Sequence, residues 1–238
     1  MDLLFPLSES HNDFIELKYC LRSVQKYLSD VGEVFLVGAK PAWIKEVQHF
    51  PFKDQEGSRY RENNIFHKTE YGCRIMSMSD DFLFMNDDFF FLKSFNAAHF
   101  PNLYSGDLHH TMRSRHGHDP YQQTVVLTMS YLTAMRQTAN DYDIHCPIIY
   151  NKSRYLRTVA TLKWDRAFGY CIKSLYGNLN KIGGSEYPDH KFRRVFTKDV
   201  IRQEIKGRDF FSTDERYINN DLIDMLNSLY PKKSKWEL

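Results

Sequence analysis

The segment Phe82-Leu83-Phe84-Met85-Asn86-Asp87-Asp88-Phe89-Phe90-Phe91-Leu92 constrains the fold of this chain more than any other. A run this apolar must be buried, and it carries two adjacent carboxylates with it. Unpaired ionised carboxylates are expensive to take out of water. A strand ending at the rim of a parallel α/β sheet resolves the conflict, because such sheets bind ligands at the carboxyl ends of their strands. Asp87 and Asp88 then project where oxygen ligands can hold a divalent cation. A cation there neutralises a diphosphate and polarises its bridging oxygen. The competing reading is a β-hairpin whose polar turn is Asn86-Asp87-Asp88. The preceding pair, Asp80-Asp81, caps or bounds the strand.

The pattern on either side points to an α/β fold. Residues 2–7 read as a strand, with a polar loop over 8–13. Leu17, Cys20, Leu21, Val24, Tyr27 and Leu28 form one apolar stripe at helical spacing. Asn12 or Asp13 caps that helix, and Glu16 suits its first turn. Residues 33–37 read as a buried strand ended by Gly38. Pro41 opens a short helical turn through Trp43 and Ile44, and 47–50 read as another short strand. This β-α-β order with short links predicts parallel strands. Further on, the spacing predicts a loop over 53–64 and a helix over 67–78, weakened by Gly72. Strands follow over 82–85 and 89–92, then a loop-rich excursion over 93–120. A helix over 121–138, an extended segment over 144–150 and two helical pieces within 155–175 come next. Ile218, Leu222, Ile223, Leu226 and Leu229 mark a last amphipathic helix. With no internal repeat, residues 1–238 read as a single domain.

Composition removes several function classes. Aromatic residues are 15% of the chain, too many for a disordered one. A net charge of +2 gives no support to a nucleic-acid binder. No apolar run approaches the roughly 20 residues of a membrane span. Residues 1–13 lack the basic start and apolar core of an export signal, so a cytoplasmic location is expected. Cys20, Cys73, Cys146 and Cys171 form no CxxC pair. They read as buried free thiols rather than a zinc knuckle or disulfide framework.

Other residues carry weaker signals. His145, in Asp143-Ile144-His145-Cys146-Pro147, reads as a structural histidine or as a base near neutral pH. His109, His110, His116 and His118, with Arg113 and Arg115, read as a solvated loop able to close over an anionic substrate, with metal binding the rival reading. Arg59, Arg61 and Lys68 precede the acidic strand, and Lys173, Lys191, Arg193 and Arg194 follow it. Each is either a solvated charge or a phosphate ligand. Residues 173–178 lack phosphate-loop spacing, and residues 232–235 read as a solvated basic end.

Taken in order, these segments resemble the Stealth family, sugar-phosphate transferases of capsule synthesis, to which the catalytic domain of the eukaryotic lysosomal-enzyme GlcNAc-1-phosphotransferase is similar. The first of the family's four blocks resembles Asp2-Leu3-Leu4-Phe5-Pro6-Leu7. The second resembles Glu16-Leu17-Lys18-Tyr19-Cys20-Leu21-Arg22-Ser23-Val24-Gln25-Lys26-Tyr27, then Val34-Phe35-Leu36-Val37 and Phe84-Met85-Asn86-Asp87-Asp88-Phe89-Phe90. The third resembles His145-Cys146-Pro147. The fourth resembles Phe210-Phe211-Ser212-Thr213-Asp214-Glu215 and the ending from Leu229 to Glu237. The chain departs from the family where Ser8-Glu9-Ser10-His11 replaces a Trp-x-(Asp/Asn)-Gly continuation, and where His11-Asn12-Asp13 replaces an Arg-rich start.

The resemblance implies a nucleotide-sugar-transferase-like (GT-A-like) fold, mixed but mainly parallel, flanked by helices. It implies a nucleotide-diphosphate sugar donor and Mg²⁺ or Mn²⁺. By match of position, Asp87 and Asp88 are the metal residues, His145 and Asp88 the catalytic ones, and Asp2 lies near the donor. Arg61, Asn64, Lys68, Asn86 and Lys173 complete the candidate donor-binding set. The expected reaction transfers a sugar 1-phosphate to a saccharide hydroxyl in surface polysaccharide synthesis. The rivals are a glycosyltransferase using the same donor and a non-catalytic saccharide-binding module. A lipid-linked acceptor would bring peripheral membrane contact; nucleic acid is not an expected partner.

Overall fold

The structure, a computed structural model, describes residues 1–10, 12–55, 61–114, 120–162 and 169–238; the side chains of residues 61, 113, 114 and 120 lie outside that description. The chain opens with β1 (Asp2–Leu7), α1 (Ile15–Tyr27), β2 (Leu28–Ser29), β3 (Val34–Gly38), β4 (Gln48–Phe50) and α2 (Arg61–Cys73). It continues through β5 (Asp81–Phe84), β6 (Phe89–Phe91), β7 (Phe95–Asn96), β8 (Leu103–Tyr104), α3 (Leu108–Ser114) and α4 (Pro120–Ala134). It ends with β9 (Ile148–Asn151), α5 (Lys152–Ala160), α6 (Ile172–Leu179), β10 (Ser185–Glu186), α7 (Lys198–Ile205), β11 (Phe210–Ser212) and α8 (Asn220–Leu229).

The central sheet runs in the order β4-β3-β1-β5-β9. Its first four strands are parallel, and β9 is antiparallel to β5. This is the α/β, mainly parallel sheet flanked by helices that the β-α-β pattern predicts. Alternation along each strand splits the core between the two faces. Leu3, Phe5, Leu36 and Leu83 pack with Leu17, Leu21 and Val24 of α1 on one face. Leu4, Phe35, Phe82 and Phe84 pack with Phe66 of α2, Tyr155 of α5 and Leu175 of α6 on the other.

Helix α1 starts as its sequence suggests, with a difference in detail. Asn12 Oδ1 accepts from the Ile15 N–H at 3.3 Å, and Ser10 Oγ accepts from the Phe14 N–H at 3.3 Å. Asp13 and Phe14 take left-handed backbone, and the Asp13 carbonyl accepts from Trp43 Nε1. Pro41 opens a turn rather than a helical one, because Ile44 bridges to Glu237 instead. Helix α2 begins and ends earlier than the expected 67–78. Gly72 sits inside it because the helix lies against Leu4; a Cβ there would come within 2.8 Å of Leu4 Cδ2.

Between long loops, residues 93–114 of the excursion carry β7, β8, α3 and a 3₁₀ turn at Ala97–His99, with Ala97, Phe100 and Leu108 buried. Two expectations are corrected. The extended segment over 144–150 becomes a strand only from Ile148. The C-terminal end is solvated only in part: Lys232, Lys233 and Lys235 face water as expected, but Ser234, Trp236 and Glu237 are buried. All four cysteines are buried free thiols, as expected.

A bidentate ion pair fastens that end to α1. Arg22 Nε and its terminal nitrogen donate to Glu237 at 2.8 and 2.7 Å, and the Ser234 N–H donates to the same carboxylate. The two side chains are 11% and 4% exposed. Removing one partner strands a buried charge, so Arg22→Met should cost about 3–5 kcal/mol in urea unfolding. Replacing Arg22 and Glu237 together by methionine should cost less than the sum of the single changes.

Candidate functional site

The chain turns sharply after β5. Asp87 and Asp88 form that turn, at the carboxyl end of the strand. The flanking strands do not pair with each other, which corrects the hairpin reading: β5 lies between β1 and β9, whereas β6 pairs antiparallel with β11, Phe89 opposite Ser212. The three phenylalanines of β6 are buried; Phe89 packs on Phe210 and Phe90 on Phe211 of β11, each ring pair tilted. This packing holds the diacid at the rim of the sheet.

Asp88 is 9% exposed. Its Oδ2 accepts from Lys191 Nζ at 2.9 Å, and its carbonyl accepts from the Thr213 N–H at 3.1 Å. Asp88 Oδ1 is buried without a hydrogen-bond partner, as are Glu16 Oε1, Ser212 Oγ and Thr213 Oγ1. Burial first, then the neighbouring Asp88 charge, push Asp87 up to about 6. Burial and the charges of Asp87, Asp88 and Glu215 push Glu16 up to about 9, against the pull of Lys191. Asp214 is held below the usual carboxylate range by two hydrogen bonds from Arg216, against partial burial and with help from Lys191. Acids outnumber cations here, and several of their buried oxygens have no hydrogen-bond partner.

His145 belongs to the same neighbourhood. Its Nδ1 lies 3.2 Å from Asp189 Oδ2, and its backbone N–H donates to Asp189 Oδ1 at 3.1 Å. Arg193 donates to the same Asp189 Oδ2 at 2.9 Å. Asp189 stays well below the usual carboxylate range, because these partners outweigh its burial. Nδ1 is therefore the protonated nitrogen, and Nε2 keeps its lone pair. Burial draws the His145 imidazole below its ordinary value, Asp189 resists and Lys191 adds to the fall.

The other expected residues divide. Lys173 donates to the carbonyls of Ile144 and Cys146, each at 2.8 Å, and so clamps the two residues flanking His145. Lys68 reaches the carboxyl end of β1, where it donates to the Leu7 carbonyl, Ser8 Oγ and Asp54. Asn86 is half-buried beside the diacid, and its carbonyl accepts from Cys20 Sγ. Asn64 is spent on the backbone N–H and carbonyl of Gln55. The structure does not bring Asp2 to the diacid: it starts β1, opposite Phe82 at the start of β5. Its carboxylate accepts from the Glu33 N–H and from the Ser79 N–H and hydroxyl. The Arg61 side chain, Arg59, Arg115, His116 and His118 lie outside the described residues. Asp81, at the opposite end of β5 from the diacid, bounds the strand and accepts from Asn151.

No group of three or more His, Cys, Asp or Glu side chains converges on a metal position among the described residues. Mg²⁺ and Mn²⁺ do not require one, since they commonly sit on one or two carboxylates with substrate phosphates and water completing the shell. Asp87 with the open oxygen of Asp88 fits that donor set. A depression of about 310 Å³, lined by Asn12, Glu215, Arg216 and Ile218, adjoins the acids through Glu215. A larger groove of about 450 Å³ lies on α3 and α4 and is lined without a titratable group by Met112, Val126, Met129, Ser130, Thr133 and Ala134. No helix among the described residues is long and apolar enough to cross a membrane. Comparison with models of known protein families finds no match, and no curated protein matches the chain.

Glu16, Asp189 and the Ser212-Thr213 pair are the site residues that sequence reasoning did not single out. Glu16 predicts a measurable pH dependence. Its folded-state pKa is raised, so its protonated form contributes stability that is present below about pH 4.5 and lost as pH rises toward about 9. In denaturant unfolding, stability should decline across that window by at most about 1.4 kcal/mol per pH unit from this group. Glu16→Gln should flatten the decline.

Proposed function

We propose that this chain is a metal-dependent transferase that takes a nucleotide-diphosphate sugar and passes its sugar 1-phosphate to a saccharide hydroxyl in surface polysaccharide synthesis. The carrying observation is the unpartnered Asp88 Oδ1 in a diacid turn at the carboxyl rim of a parallel sheet. The reading goes with a nucleotide-sugar-transferase-like (GT-A-like) sheet, a cytoplasmic location and the Stealth resemblance of the blocks ending at Asp88 and Glu237.

Asp87 and Asp88 would hold Mg²⁺ or Mn²⁺, which would offset the negative charge of the donor phosphates. His145 Nε2 takes the proton of the acceptor hydroxyl as its oxygen attacks the β-phosphorus. The new O–P bond forms as the bond to the departing nucleoside monophosphate breaks. Asp189 keeps the imidazole oriented and stabilises its protonated form. Lys173 holds the loop on which His145 stands, through the two flanking carbonyls. The depression at Asn12, Glu215 and Arg216 offers polar groups to a hydroxylated acceptor beside the acids.

Phosphorus NMR of the purified protein with nucleotide sugars and Mg²⁺ or Mn²⁺ tests the reading through slow donor hydrolysis. Sugar phosphate and nucleoside monophosphate are the expected products. Nucleoside diphosphate and free sugar would sink phosphoryl transfer and assign glycosyl transfer instead. Asp87→Asn and Asp88→Asn should each abolish metal-dependent donor binding; intact saccharide binding without any metal requirement would favour a binding module. His145→Ala should slow transfer by about 10²- to 10⁴-fold with donor affinity retained.

A further inference from the structure

Lys191 is where the charges of the site meet. Its side chain is 6% exposed, and its ammonium donates to Asp88 Oδ2 at 2.9 Å and lies 3.8 Å from Asp214 Oδ2. The same charge acts on Glu16, Asp87 and His145, so it stands between the acids and the imidazole. The backbone root of Lys191 is fixed by a bridge to Ser212 and by the neighbouring Phe192 N–H, which donates to the Ser212 carbonyl at 2.8 Å. The stem beyond it has four rotatable carbons. Asp88 thus has one buried oxygen without a partner and one that a lysine occupies.

Two cations cannot share one carboxylate at contact distance without strong mutual repulsion. A phosphate between them removes the conflict, since its oxygens can bind the metal and accept from the ammonium. We propose that Lys191 is the resident counter-ion of Asp88, that an incoming divalent cation displaces its ammonium, and that the displaced ammonium binds the donor's diphosphate. The inference rests on the metal-dependent reading above and adds an exchange of partners to it. Lys191 is then both a competitor of the metal and a ligand of the substrate, two roles with opposite effects on affinity.

The test titrates the purified full chain with Mn²⁺ alone, reading free Mn²⁺ by electron paramagnetic resonance, then with inorganic pyrophosphate at saturating Mn²⁺. Lys191→Met should bind Mn²⁺ on the order of tenfold more tightly than the parent. It should bind pyrophosphate on the order of tenfold more weakly. Lys191→Arg keeps the charge and should bind Mn²⁺ no more tightly than the parent. Because Lys191→Met leaves Asp88 unpaired, melting is followed with and without Mn²⁺, and the metal should raise the melting temperature more in this variant than in the parent. Unchanged Mn²⁺ affinity in a folded Lys191→Met, loss of Mn²⁺ and pyrophosphate binding together, or a variant that Mn²⁺ leaves unfolded would overturn the exchange. Mn²⁺ binding by the parent would still leave the transferase reading standing. Mn²⁺ binding by neither parent nor variants would overturn both.

Discussion

Gathering carboxylates at the buried rim of a parallel sheet is the constraint on which the rest of this structure depends. Like charges in a low dielectric repel strongly, and each loses its water. The fold meets this cost in three ways. It admits a lysine, Lys191, to Asp88. It keeps protons on Glu16, and on Asp87 below about pH 6. It ties Asp214 to Arg216 through two hydrogen bonds. Buried oxygens on Asp88 and Glu16 are left without partners even so.

The apparatus around the acids is mostly backbone fastening. Lys173, Lys68 and Asp2 are buried and charged or polar, and each satisfies main-chain groups that a strand end or loop would otherwise leave unpaired. Lys173 holds the His145 loop, Lys68 the exit of β1, and Asp2 its entry. Only the first two stand toward the carboxyl rim of the sheet, where their ammonium groups donate to protein oxygens.

A consistent division of labour emerges between the two sides of the rim. The diacid side carries the negative charge and the unpartnered buried oxygens. The other carries an imidazole whose Nδ1 lies against Asp189. The Lys191 charge acts on both.

The elements of the fold were largely legible in the sequence because their signals are local. The stripe from Leu17 to Val24 and the apolar runs at Asp2–Leu7 and Asp81–Phe84 specify helix and strands by period alone. The diacid could be read too, since two carboxylates inside an apolar run have few stable placements. What the chain itself could not declare were the pairings between distant segments. Whether Asn86-Asp87-Asp88 closes a hairpin or links two sheets depends on β11, some 120 residues on. Asp189 looks like any surface acid until His145, 44 positions away, donates to it. Gly72 looks like a helix breaker until Leu4 is packed against it. Local sequence determined which segments are helix or strand and which run had to end in charge; only tertiary structure decided which charges meet, because Coulomb and hydrogen-bond energies depend on distance in space rather than along the chain.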